Sequence, residues 1–192
     1  TTGHHSAARA EIRPGETVAV IGAGPVGFFC VQAALSADAG SVVAVDVEPR
    51  RLALIESAGA EGIDATRRNP QTAIAERTEG RGADAVIDAV GSPSAFERAL
   101  EVVRRGGRVV VAGMYTSETV EAQLGVWWAR GLDVRFTGIC PVHAAWGSAM
   151  ADLRAGRLDP TPLISHRLPL DEAARGYELF DSRQASKVLL FP

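Results

Sequence analysis

The stretch Gly22-Ala23-Gly24-Pro25-Val26-Gly27 constrains this chain more than any other, because few folds need three glycines at that spacing between a strand and a helix. A β-branched run, Thr17–Ile21, reads as a buried strand just before it, and a helical pattern continues to about residue 37. Each glycine has a physical task in that setting. Gly22 permits the tight turn out of the strand, Gly24 lets backbone approach a pyrophosphate where a side chain would collide, and Gly27 allows close helix–sheet packing. Pro25 suits the first helical position, since the N–H it lacks would have had no intrahelical partner. The remaining first-turn N–H groups and the positive end of the helix dipole then face the diphosphate.

A GxGxxG turn alone is weak ground, because glycine turns also serve packing. Here the context agrees on three counts: a strand before, a helix after, and an acid at the end of the next strand. Asp46 stands 19 residues beyond Gly27, where a ribose-binding carboxylate belongs. Residues 17–46 therefore read as a dinucleotide-binding βαβ unit, with Gly22, Gly24, Pro25, Val26, Gly27 and Asp46 at the cofactor. A carboxylate at 46 can accept from both hydroxyls of the adenosine ribose and would repel a 2′-phosphate, which favours NAD over NADP. Arg50 and Arg51 pull the other way, because arginines just past that strand can pair with such a phosphate. Alternatively, both are solvated residues of a first helical turn.

The alternation continues along the chain. Val42–Val45, Ala85–Ile87, Arg108–Val111 and Val134–Thr137 read as strands, Ile63–Asp64 as a brief one, and helical patterns lie at about 50–58, 71–79 and 94–104. This argues for the α/β class: a Rossmann doubly wound parallel sheet of about six strands with helices on both faces and right-handed crossovers. The tail differs. Residues 142–155 read as one helix stopped at Gly156, Asp159–Pro169 as irregular or extended, and Asp171 as the cap of a helix running to about Asp181. Lys187–Phe191 closes the chain as a strand that can belong to a different sheet. The expected organisation is a leading helix over 1–16, a dinucleotide-binding domain over 17–155 and a C-terminal extension over 156–192.

Composition narrows the partners. A net charge of −3 gives no basic surface for a polyanion, so nucleic acid is not expected. No apolar run approaches the roughly 20 residues that span a bilayer, and the N-terminus lacks the regions of a signal peptide. A cytoplasmic location follows by default. Cys30 and Cys140 have no CxxC spacing and read as reduced structural residues, not a zinc site.

Beyond the turn, several segments together resemble the medium-chain, zinc-dependent alcohol dehydrogenases. Thr2-Gly3-His4-His5-Ser6-Ala7 followed by Pro14-Gly15-Glu16-Thr17-Val18 is similar to that family's leading helix and first strand, and Gly22–Gly27 to its GxGxVG turn. Asp46 through Arg51-Leu52-Ala53, with Ala58-Gly59-Ala60, resembles the second strand and helix. Gly82-Ala83-Asp84-Ala85-Val86-Ile87-Asp88 and Gly106-Gly107-Arg108-Val109-Val110 resemble the fourth and fifth strands. The likeness covers nearly the whole chain but only the cofactor half of a typical member. It implies that Thr2 approaches the nicotinamide and that Arg51 contacts the adenosine ribose or its surroundings. Val90, Gly91, Gly113 and Met114 would line the nicotinamide side, and Lys187 would lie near the pyrophosphate. The plain alternatives are core packing for Val90 and Met114 and a solvated charge for Lys187.

The resemblance also implies a catalytic zinc held by an N-terminal domain, through Cys, a Gly-His-Glu segment and a further Cys or Asp before the Thr-Gly step. None of these stands in the sequence, which starts at Thr1, so zinc is expected only in that other domain and no catalytic or metal residue is assigned here. His4 and His5 would point about 100° apart on a helix and would not converge on one ion. One could face the nicotinamide or substrate cleft; otherwise both pack or are solvated, and His143 and His166 read as structural or surface residues. In relatives the edge strand near 134–137 pairs across a subunit interface, which makes a homo-oligomer the expectation and gives Trp127 and Trp128 either an interface or a core role. The implied function is the NAD-binding domain of an alcohol or polyol dehydrogenase whose substrate is a small alcohol or carbonyl. A stand-alone NAD-sensing module and the cofactor domain of a zinc-free quinone-reductase-like enzyme are the alternatives.

Overall fold

The apolar runs become the strands of a parallel sheet in the computed structural model, which describes residues 1–115 and 119–192. The strands β1 (Thr17–Ile21), β2 (Ser41–Asp46), β3 (Glu61–Asp64), β4 (Ala83–Asp88), β5 (Val103–Val111) and β6 (Asp133–Phe136) lie in the order β3-β2-β1-β4-β5-β6. Every pairing is parallel. The chain divides into two compact units, Thr1–Leu158, which holds this sheet, and Asp159–Pro192.

Successive side chains of a strand point to opposite faces, and here both faces are covered. Ala19, Ile21, Val43, Val45, Val86, Val109 and Val111 share one buried cluster with Ala73 and Ile74 of α4 (Pro70–Arg77) and Phe96 and Leu100 of α5 (Pro93–Val102). The alternate set, Val18, Val20, Ile87 and Val110, is fully buried as well. It faces the side on which α2 (Pro25–Ser36) packs, where a Cβ on Gly27 would lie 3.5 Å from Val20 Cγ1. Each such valine or isoleucine contributes about 1.5–3 kcal/mol of burial.

The helices of the first four crossovers, α2, α3 (Pro49–Ser57), α4 and α5, all begin on a proline, whose fixed φ and missing N–H suit the first turn. Asn69 caps α4 by accepting the Thr72 N–H, and Ser92 caps α5 by accepting that of Ala95. The leading helix α1 (Thr2–Arg9) lies against α2 so closely that a Cβ on Gly3 would sit 2.6 Å from both Val26 O and Phe29 Cβ. That sandwiching explains why α2 is apolar nearly all round. Its Cys30 is completely buried, and burial pushes the thiol up to about 12, so it behaves as a small core residue.

Two features of this unit depart from the sequence reading. β5 starts at Val103, directly after α5, and its pairing with β4 is interrupted by a register shift between Ala83 and Ala85. A further helix, α6 (Leu124–Arg130), precedes β6; none of its residues is fully buried and only Trp127 and Arg130 are half-buried, too few for a periodic apolar signal. A last helix, α7 (Val142–Arg154), meets α1 through His4 Nε2 and Asp152 Oδ2, 3.0 Å apart.

The second unit contains β7 (Ile164–Pro169), α8 (Ala173–Asp181) and β8 (Lys187–Phe191), and its two strands form their own parallel pair. The closing strand thus belongs to a different sheet from the first six. Asp171 does not cap α8: it lies in a 3-10 turn, Leu170–Glu172, and the cap position falls to Glu172, which makes no side-chain capping bond. Among the described residues no helix is long and apolar enough to cross a membrane.

Candidate cofactor-binding site

The strand order reverses direction at β1, and the crevice beyond the carboxyl ends of β1 and β4 is where open α/β sheets bind ligands. The glycine turn is fastened there from both sides. Gly22 N–H donates to Val45 O (2.8 Å), and Ala89 N–H donates to Ile21 O (2.8 Å).

The three glycines are glycine for three different reasons. Gly22 has φ +94°, and a Cβ would lie 2.6 Å from Val90 Cγ2, so the turn itself requires it. Gly27 has no room, since a Cβ would lie 1.9 Å from Gly22 O. Gly24 is the exception. Its φ of −68° and ψ of −175° suit any residue, and a Cβ would meet nothing nearer than Arg51 Nη1 at 4.0 Å. Nothing in the fold demands glycine there, whereas a diphosphate lying against the backbone would. The first-turn N–H groups of a helix have no intrahelical acceptor, and α2 answers them with neither a side-chain cap nor an acid. Pro25 and Val26 complete this first turn, with Pro25 at its opening position.

Asp46, 8% exposed, ends β2 beside the turn. Its Oδ2 accepts the Ala23 N–H (2.7 Å), and its Oδ1 accepts the N–H groups of Val47 (2.7 Å) and Glu48 (2.9 Å). Three amides therefore fix the carboxylate in place. Oδ2 has spent one of its two acceptor sites on the protein and retains one for a hydroxyl. Arg51 Nη1 lies 3.7 Å from that oxygen and next to Gly24, so the two residues form one polar corner.

On the other side of the crevice, Val90 and Gly91 follow β4, and Gly113 and Met114 follow β5. The two backbones touch: a Cβ on Gly113 would lie 2.0 Å from Gly91 N, and one on Gly91 (φ +84°) would lie 2.6 Å from Met114 N. Val90 is 51% and Met114 79% exposed, so the core reading of these side chains does not hold. Thr2 is half-buried at the start of α1, next to the glycine that packs on the first turn of α2. Lys187 lies in the second unit, exposed at the start of β8, where it lines a cavity of about 250 Å³ with Tyr177, Phe180 and Val188.

Other sequence candidates resolve individually. His4 is engaged by Asp152. Trp127 packs edge-on to Phe96, ring centroids 5.8 Å apart, while Trp128 is 86% exposed, so the two tryptophans divide between core and surface. Among the described residues there is no group of three or more His, Cys, Asp or Glu that could hold a metal ion.

Sequence reasoning missed Asp88 and Tyr115. Asp88 is completely buried at the end of β4; its Oδ1 accepts the Val90 N–H (2.9 Å) and Gly91 N–H (3.2 Å), and its Oδ2 accepts the Tyr115 hydroxyl (2.8 Å). The available signal was an acid closing an apolar strand, which must find donors to be buried.

A β3-β2-β1-β4-β5-β6 parallel sheet with a glycine turn at its reversal point defines a Rossmann-type domain. A family model described as zinc-binding dehydrogenase matches residues 25–153, and the chain belongs to that family. It is 37% identical over 187 residues to a probable zinc-binding alcohol dehydrogenase of Mycobacterium tuberculosis, covering 97% of this chain and 48% of that protein. It is 31% identical to the L-threonine 3-dehydrogenase of Bacillus subtilis, covering 93% of this chain and 52% of that one. Among solved structures, the alcohol dehydrogenase of Thermus sp. ATN1 superposes with a TM-score of 0.94 at 40% identity, covering 98% of this chain and 54% of the other. The chain spans about half the length of the curated relatives it matches. The resemblance read from the sequence thus holds for family and fold.

Proposed function

We propose that this chain is the NAD-binding half of a zinc-dependent alcohol or polyol dehydrogenase. The observation that carries the reading is Gly24, a glycine with ordinary dihedrals and open space where its side chain would be. Open space of that kind at a helix N-terminus fits a pyrophosphate received by backbone amides. The nicotinamide ring of such a cofactor supplies the chemistry, accepting or giving a hydride at its C4.

This chain's residues bind and orient. The first-turn amides of α2 receive the diphosphate, Asp46 accepts from the adenosine ribose, and Arg51 offsets part of the local charge. Val90 and Met114 present apolar surface to the nicotinamide, and Thr2 approaches it. A negatively charged Asp46, held by three amides and unable to swing aside, favours NAD because a 2′-phosphate would meet it head-on. The metal and the small alcohol or carbonyl substrate are assigned to the other half of the longer enzyme, and this chain by itself oxidises no alcohol.

Self-association through the outer edge of β6 belongs to the same proposal. β6 pairs only with β5 among the described strands, and Phe136 on it and Trp128 before it are exposed. A cytoplasmic location is in keeping with the free thiols of Cys30 and Cys140. Calorimetric titration with NAD and NADP tests the cofactor assignment. NAD should bind at least about tenfold more tightly, as expected for a like-charge clash of about 1.4 kcal/mol or more. Tighter NADP binding would overturn it.

A further inference from the structure

We infer that Asp88 and Tyr115 are positioning residues that lock the loop after β5 onto the loop after β4, setting the apolar wall against which the nicotinamide half of the cofactor rests. The inference builds on the dinucleotide reading above and assigns a task to two residues that reading does not use. Asp88 holds donors from both loops at once. Its carboxylate takes the Val90 and Gly91 N–H groups and the Tyr115 hydroxyl, while its main-chain carbonyl takes the N–H groups of Ala112 and Gly113, both at 2.9 Å. The Tyr115 hydroxyl also lies 2.7 Å from Ser92 O, so it straddles the far end of the β4 loop as well. Burial first, then the hydrogen bond to and the charge of Asp88, hold the phenol above its ordinary range.

A completely buried carboxylate is costly unless each lone pair is answered, and the same strand position filled by an apolar residue would avoid that cost. What the carboxylate provides is rigidity in a particular place. Gly91 and Gly113 let the two backbones meet, but glycines alone leave loops free to slide, and Tyr115 is the side chain that ties them. The product is a pair of exposed apolar side chains, Val90 and Met114, on anchored backbone beside the crevice. Such a surface suits the face of a planar heteroaromatic ring and does nothing for the adenosine or diphosphate.

That asymmetry gives the test. The full chain, its Tyr115→Phe variant and its Asp88→Asn variant are each titrated with NADH and with ADP-ribose, which is the cofactor without its nicotinamide. Wild type should bind both, NADH the more tightly. Tyr115→Phe should keep ADP-ribose affinity within about twofold and lose roughly fivefold for NADH, the size of one net hydrogen bond. Asp88→Asn keeps an acceptor for Val90 and Gly91, and its N–H can donate to the Tyr115 oxygen while the hydroxyl donates to Ser92 O, so it preserves the tie and should hold NADH affinity within about twofold of wild type. Equal losses for both ligands in Tyr115→Phe, unchanged NADH affinity in a folded Tyr115→Phe, a selective NADH loss in Asp88→Asn as large as that in Tyr115→Phe, or wild-type NADH binding no tighter than ADP-ribose would overturn the inference. Failure of wild type to bind either ligand would instead sink the cofactor reading on which it stands.

Discussion

Replacing Gly24 by alanine separates ligand binding from folding, because the structure gives that glycine no folding task. The added Cβ would meet only Arg51 Nη1, at 4.0 Å, and the dihedrals are open to alanine. Lower entropy of the unfolded chain stabilises such a substitution by about 0.4–1 kcal/mol. Against this, alanine is a poorer N-cap than glycine by several tenths of a kcal/mol. The two nearly cancel, which leaves the melting temperature within about 2 °C of wild type for a domain of this size. Binding responds quite differently. A methyl group on the surface that receives the diphosphate pushes it off at least one charge-assisted N–H bond, a loss of about 1.5–3 kcal/mol, or roughly 10- to 100-fold in affinity. Gly27→Ala is the control, since its Cβ would lie 1.9 Å from Gly22 O. That overlap forces the turn to move and costs about 1–3 kcal/mol of stability. Thermal melts and NAD titration of both variants check the argument. A Gly24→Ala protein that binds NAD as wild type does, or that melts as early as Gly27→Ala, would refute it.

Asp46→Asn should lower the preference for NAD over NADP by about tenfold in parallel titrations and cost roughly 1–3 kcal/mol in denaturant unfolding, because one of the three N–H groups now held by the carboxylate loses its acceptor. Trp127→Ala should destabilise the domain by roughly 2 kcal/mol through its edge-on contact with Phe96, while Trp128→Ala leaves monomer stability within about 0.5 kcal/mol and weakens self-association in sedimentation. Asp84 joins β4 to the start of β1, accepting the Thr17 N–H (2.8 Å) and Arg104 Nε–H (2.6 Å). Burial raises its pKa, but those donors and the arginine charge outweigh it, so the folded pKa lies below the usual carboxylate value. Stability from this group is therefore present above about pH 4 and lost as pH falls through the lower folded pKa, so Asp84→Asn should flatten the acid limb of the unfolding midpoint against pH.

The part of the site read from the sequence is the part that local chemistry dictates. β1 runs over the same residues as the apolar run Thr17–Ile21, and α2 starts on Pro25, because β-branched burial and a proline at the first helical position are local signals. Asp46 was legible from its distance to the turn. The residues that escaped depend on tertiary neighbours. α6 sets only Trp127 and Arg130 part-way into the protein, too few to make an apolar stripe, and Asp171 lost its capping role to a 3-10 turn that shifted the helix start. The exposure of Val90 and Met114 follows from two loops meeting at Gly91 and Gly113, residues 22 positions apart in sequence. Asp88 and Tyr115 gain their meaning from the same meeting, which no window along the chain contains. The split between Trp127 and Trp128 turns on which of two adjacent side chains reaches Phe96.

The central claim, that the turn at the start of α2 receives the cofactor's diphosphate, is tested most directly by following backbone amide resonances while NAD is added to the isotope-labelled chain. The amides of Gly24, Val26 and Gly27 should shift in proportion to occupancy, together with those of Ala23, Val47 and Glu48 that Asp46 holds. Saturable binding that leaves those resonances unmoved, or shifts confined to the second unit, would contradict it.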